Sequence, residues 1–143
     1  MSMILQKART FAEAPDDWDE AALAELQAND QNGRVGLKLL SDDTRVRVWS
    51  IHLRPGERLP FHRHVLDYFW TALEPGKARS RYGDGAVRHF EYVAGETLHL
   101  HFDAGESMIH DLTNIGTTPI SFITVELLES DNQPLPLGPV LSG

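Results

Sequence analysis

From residue 34 to residue 128 the chain is a succession of short runs rich in Val, Ile, Leu, Phe and Tyr, each closed by turn chemistry. The runs are 34–40, 44–53, 60–64, 67–73, 77–82, 86–93, 96–102, 108–114 and 119–128, and between them lie "SDD", "RPGE", "EPG", "GDG", "AGE", "DAGE" and "NIGTT". β-branched and aromatic residues favour the pleated, half-buried surface of a strand, and Gly, Pro, Asp and Asn favour the turns. Eight or nine strands at this spacing predict an all-β sandwich or closed barrel and exclude a series of βαβ units.

The flanks differ. "APDDWDEAALAELQAND" is built of helix formers with acidic residues at its front, so a single helix is expected over residues 15–29, with Asp16 or Asp17 capping its first turn. It is read as packing on the outside of something larger. The tail, residues 129–143, carries three prolines and is expected to be an extended arm. The division is therefore an N-terminal segment 1–33, a barrel 34–128 and an arm 129–143.

Composition narrows the chemistry. Cysteine is absent, so disulfides, a thiolate nucleophile and thiolate metal ligands are excluded, and a metal would be held by nitrogen and oxygen. Twenty-one acidic against 13 basic side chains, a formal charge of -8, disfavour nucleic acid and anionic lipid as partners. No stretch approaches the ~20 apolar residues of a membrane span. The expected partner is a small-molecule ligand or substrate, and the expected compartment is the cytoplasm.

All seven histidines lie between His52 and His110, within the strand-rich region. In "PFHRH" His62 and His64 are two apart, so on an extended backbone they point to the same side while Arg63 points to the other. Imidazole is the commonest protein ligand for transition metals. The alternative is an ordinary exposed strand.

Spacing beyond the pair carries a resemblance. "GERLPFHRHVLDYFWTALEPG" (56–76) resembles the first motif of the cupin superfamily at Gly56, His62, His64 and Gly76, and "GETLHLHFDAGESMIHDLTN" (95–114) resembles the second at Gly95, Gly105, His110 and Asn114. The likeness covers residues 34–128. It implies an all-β cupin-type jelly-roll β-barrel with the helix packed outside. It also implies one divalent transition metal, Fe, Ni, Zn, Mn or Cu, held by His62, His64 and His110. The chain departs from the pattern twice. The second motif lacks its proline and has extra residues around "DAGESM", so a longer hairpin is expected there. In the first motif Tyr68 and Phe69 stand where the family places a glutamate ligand, with Asp67 one residue earlier. Either the three histidines act alone with water, or Asp67 bends in as an oxygen ligand; Asp67 is otherwise a turn residue or an acceptor for a histidine N–H.

Of the remaining candidates, Tyr68 could offer a hydroxyl to a metal-bound ligand and Trp70 could line a substrate cavity. His99 and His101 share one face of "ETLHLHF", either the solvent face or the cavity. Arg45, Arg47 and Arg63 are read as exposed strand residues, with steering of an anionic substrate as the alternative. Three functions stay open: a dioxygenase-like or other Lewis-acid metalloenzyme acting on a small organic acid or carbonyl compound, a non-catalytic binding or sensing cupin, and a metal-free isomerase with His62 as base and Tyr68 as acid. Edge strands of such barrels commonly pair between subunits, so a homodimer is expected.

Overall fold

A computed structural model describes residues 19–137. One helix, α1 (Glu20–Ala28), precedes nine strands: β1 (Lys38–Asp42), β2 (Val46–Leu53), β3 (Arg58–His64), β4 (Tyr68–Ala72), β5 (Gly76–Arg81), β6 (Val87–Tyr92), β7 (Thr97–Leu100), β8 (Met108–Asn114) and β9 (Ile120–Leu127). They form a five-stranded sheet in the order β1-β2-β9-β4-β7 and a four-stranded sheet in the order β3-β8-β5-β6, antiparallel throughout. The expected jelly roll is found, as two facing sheets that do not close into a continuous barrel.

Alternation explains which faces meet. On β9 Ile120, Phe122, Thr124 and Glu126 are buried while their neighbours are half-buried or exposed, and on β2 Trp49, Ile51 and Leu53 point the same way. Of these, Ile51, Leu53, Ile120 and Phe122, with Leu59, Ala72, Ala78, Tyr92 and Leu112 from both sheets, make one apolar cluster, and Tyr68, Tyr82, Leu100, Phe102 and Met108 belong to a second.

Three of the turns are one device used three times. In "RPGE", "VAGE" and "DAGE" the glutamate carboxylate accepts the backbone N–H three residues back, from Arg54 (2.8 Å), Val93 (3.1 Å) and Asp103 (2.9 Å). The glycine before it, Gly56, Gly95 or Gly105, has φ near +86°, +86° or +85°. Nothing lies within 4 Å of a Cβ built at any of them, so the left-handed backbone and not space calls for glycine.

Four of the differences from the expected boundaries have a visible structural cause. β1 is displaced to Lys38–Asp42, because residues 33–37 press onto the sheet: a Cβ on Gly36 would lie 2.5 Å from that of Trp49, and Val35 is 1% exposed. The helix is capped by Asp19, whose Oδ1 accepts the Ala22 N–H at 2.8 Å; Asp16 and Asp17 lie outside the described residues. β7 stops at Leu100 because the Asp67 carboxylate takes the Phe102 N–H at 2.9 Å. The arm folds back on its own chain as far as residue 137. Asn132 Nδ2 donates to the carbonyls of Val65 and Asp103, both at 3.0 Å, and Leu135 packs on Gly33.

β3 carries the irregularity that matters most. Its pairing with β8 runs Leu59 with Leu112 and then His62 with His110, three steps on one strand against two on the other. This is a β-bulge. It inverts the alternation, so Leu59 and His62, three apart, both face the inter-sheet cavity.

Candidate metal centre

β3 and β8 are neighbours in the smaller sheet, and the register sets His110 directly opposite His62, with His64 two residues along on the same face. The three imidazoles converge: ring centroids are 4.9 Å apart for His62 and His64, 4.7 Å for His62 and His110 and 5.2 Å for His64 and His110. One nitrogen from each lies within 4.8 Å of the others. The Nε2 atoms of His64 and His110 are 3.3 Å apart. Two imidazole nitrogens bound at ~2.0–2.1 Å to one ion, at angles between octahedral and tetrahedral, sit about 2.8–3.4 Å apart.

Tautomers agree in one case and strain in two. His62 Nδ1 lies 2.8 Å from the Pro60 carbonyl, which can only accept, so this nitrogen carries the proton and Nε2 offers its lone pair to the cavity. The Nδ1 atoms of His64 and His110 are buried with no hydrogen-bond partner among the described residues. Without a cation, one of the facing Nε2 atoms must also carry a proton to avoid opposed lone pairs. A shared cation removes that conflict, so the donor set fits a divalent metal bound by nitrogen.

Burial keeps all three rings neutral. Desolvation lowers His62 to about 4, and it drives His64 and His110 well below the ordinary histidine value, with the neighbouring histidines adding to the effect. The unfolded chain takes up these protons near pH 6.5, so unfolding binds protons and stability falls as pH drops below about 6.5, the His62 share of the fall levelling near 4. For His62 alone the loss is roughly 3 kcal/mol. Glu126 acts in the opposite sense: burial raises it to about 7, so its contribution falls as pH rises through the same window. The expected result is therefore a difference. Urea titrations of metal-free protein at pH 7 and pH 4.5 should show wild type losing more stability on acidification than His62→Asn; equal losses would refute the burial argument.

The other candidates separate clearly. Tyr68 stacks on His64 at 4.0 Å with an interplanar angle of 9°, and Trp70 meets Tyr92 and Phe122 edge-on; both line the cavity. Asp67 is not grouped with His62, His64 and His110. Its Oδ1 accepts the Phe102 N–H and its Oδ2 lies 3.0 Å from His101 Nδ1, so its carboxylate serves the β4–β7 edge. His99 and His101 are not on the cavity side either. His99 is exposed against Phe69, and His101 is held between Asp67 and Asp103, with Asp131 close enough to share an ion. Both nitrogens of His101 are thus satisfied within the chain. Arg63 turns outward to Asp30 and Arg47 pairs with Asp42 at 3.4 Å. Asn114, the last residue of the second motif, is structural: Nδ2 donates to the Leu53 and Thr118 carbonyls and Oδ1 accepts the Gly116 N–H.

Two features escaped the sequence reading. Asp111, beside His110, is fully buried and accepts from Arg58 Nε (2.9 Å) and from the Arg81 backbone N–H, Nε and guanidinium (2.8, 2.9 and 2.7 Å). Glu126, 3% exposed, accepts the Trp49 indole N–H at 2.8 Å and pairs in register with Tyr68. Alternation on "ISFITVEL" does place Glu126 with the inward Ile120, Phe122 and Thr124, a signal available in the sequence. The partners of Asp111 lie 30 and 53 residues away, and no local pattern announces them.

The cavity is lined mostly by apolar and aromatic side chains, among them Val35, Ile51, Leu59, Phe90 and Met108, with the three histidines, Ser80, Thr124 and the hydroxyls of Tyr68, Tyr82 and Tyr92 as polar groups. No Lys, Arg, Asp or Glu lines it among the described residues. No described helix is long and apolar enough to cross a membrane.

No family model and no curated protein matches the chain. Solved structures do. A cupin domain from Bordetella pertussis Tohama I is similar at 22% identity over 63% of this chain and 88% of that one, with a TM-score of 0.55. A conserved protein with a double-stranded β-helix domain from Klebsiella pneumoniae subsp. pneumoniae MGH 78578 matches at 26% identity over 62% and 68%, TM-score 0.50. An RmlC-like cupin family protein with a double-stranded β-helix fold from Methanocaldococcus jannaschii matches at 18% over 63% and 76%, TM-score 0.51. The fold is that of a single-domain cupin, the double-stranded β-helix.

Proposed function

We propose that this cupin-fold chain is a metalloenzyme in which His62, His64 and His110 hold one divalent transition metal at the base of an apolar cavity, for a dioxygenase-like or other Lewis-acid reaction on a small carbonyl compound or organic acid. The observation that carries the reading is the convergence of three buried, neutral imidazoles at ligand spacing, with no carboxylate among them. Fe, Ni, Zn, Mn and Cu are all compatible with imidazole donors. A bound ion of this kind polarises an oxygen ligand or, if redox-active, activates O₂.

The chain's own groups supply orientation and dryness. Burial raises the Tyr68 hydroxyl well above its usual value, so at neutral pH it keeps its proton and can donate it in a hydrogen bond to an oxygen beside His64. Tyr82, next to His110, is raised by burial in the same way. The aromatic walls exclude water and favour flat or apolar substrates. With no cationic side chain among the described lining residues, a carbonyl compound suits the cavity better than an organic acid. The same burial weakens the metal-free isomerase alternative: a histidine lowered to about 4 is a poor base, and a phenol raised by burial is a poor acid.

The test is elemental analysis of purified protein, followed by oxygen-uptake and product assays on a panel of carbonyl compounds and acids with each metal loaded. About one bound equivalent per chain with turnover on at least one substrate is expected. Protein that retains no metal would overturn the reading. Bound metal with ligand affinity but no turnover would make the chain a binding module.

A further inference from the structure

The β-bulge in β3 leaves the peptide of Phe61 outside the β3–β8 ladder, and Pro60, next to it, has no N–H to place. Both backbone polar groups of Phe61 are taken by the segment expected to pack as an outer cover. The Phe61 N–H donates to Glu25 Oε2 of α1 at 3.0 Å, and the Phe61 carbonyl accepts from Asn29 Nδ2 at 3.0 Å and Asn32 Nδ2 at 2.9 Å. Glu25 also receives both terminal nitrogens of Arg58, whose Nε reaches Asp111 beside His110. Guanidinium groups of Arg58 and Arg81 lie 5.2 and 5.5 Å from the Phe61 ring and hold it on the outer face. Two residues further along, the Arg63 N–H donates to the Asn32 carbonyl at 2.7 Å.

The bulge decides which way the histidines face. With regular pairing continued from Leu59, Phe61 would point into the cavity and His62 and His64 out of it, since a shift of one residue exchanges the two faces of a strand. We propose that Glu25 is a positioning residue for the metal centre: with Asn29 and Asn32 it holds the Phe61 peptide in the bulge and thereby fixes His62 inward, so that α1 is part of the site's machinery. The proposal rests on the metal-ligand reading of the histidines. Its geometric half, the orientation of His62, can be tested without metal.

The experiment uses full-length Glu25→Ala and Glu25→Gln. Zn²⁺ affinity is measured by competition with a chelator well below the melting temperature, and the His62 Nδ1–H signal, protected by its bond to the Pro60 carbonyl, is followed by NMR in metal-free protein. Glu25→Ala should weaken Zn²⁺ binding about 10–100-fold, the range seen when a partner orienting a ligand is removed. Glu25→Gln, which keeps an acceptor for Phe61 but loses the charge, should weaken it less. Both should shift or broaden the His62 signal. Leu53→Val, in the other core cluster, should lower the melting temperature while leaving affinity and signal unchanged. A folded Glu25→Ala protein that binds Zn²⁺ within twofold of wild type and keeps the His62 signal would overturn the proposal. If Glu25→Ala does not fold, Glu25→Gln decides by the same criteria. If wild type binds no Zn²⁺, the metal reading fails and the His62 signal alone decides the role of Glu25.

Discussion

His110→Ala is expected to reduce bound divalent metal from about one equivalent to near zero while the protein stays folded. His110 is one of three converging donors, and among the described residues nothing else can replace it: the nearby carboxylates Asp111 and Asp67 are engaged with arginines and with the β7 edge. Losing a partner of a ligand costs about 10–100-fold in affinity, and losing a ligand outright should cost more. The fold should survive because the apolar clusters do not depend on the imidazole, and the variant relieves two strained features, the buried Nδ1 without an acceptor and the facing Nε2 atoms. Metal analysis beside a thermal melt checks both halves. Unchanged metal content would remove His110 from the site.

The largest loss of stability is expected at the next residue. Asp111→Ala should destabilise the protein by about 3–5 kcal/mol, the cost of removing one partner from a buried ion pair. The carboxylate is fully buried and accepts four bonds from Arg58 and Arg81, so its removal leaves two guanidinium groups beside the Phe61 ring without this counter-charge. Asp111→Asn, similar in shape but uncharged, should fall between wild type and Asp111→Ala. Urea unfolding with an unchanged m-value is the measurement. A loss under 1 kcal/mol for Asp111→Ala would mean that the pairing repays little more than its desolvation.

Alternation and turn chemistry made nine strands visible, and "PGE" and "AGE" marked turns that the structure repeats almost identically. His62 and His64 were legible as a pair because two residues of separation is itself a statement about direction. What could not be read was the phase of that pair relative to Leu59, which depends on a bulge whose stabilising groups lie 29 to 36 residues upstream. Pro60 hints at an interruption, but a proline marks an edge strand as readily as a bulge. The choice among the three roles open to Asp67 could not be read for a similar reason. The residue's distance in sequence from His64 is short, yet β4 pairs with β7, and the chain just past β7 supplies the Phe102 N–H that captures the carboxylate. Distance along the chain ranked the candidates; strand neighbours decided among them.

The bonds from residues 25–32 to Phe61 and Arg63 also bear on assembly. Two open sheets present four outer edges, at β1, β7, β3 and β6. The β3 edge is already occupied by the chain's own upstream segment, so another copy cannot extend that sheet by strand pairing at β3 without displacing α1. Any association of copies through backbone bonding would be directed to β1, β7 or β6, away from the strand that bears two of the three histidines, and would not compete with the site for the same hydrogen bonds.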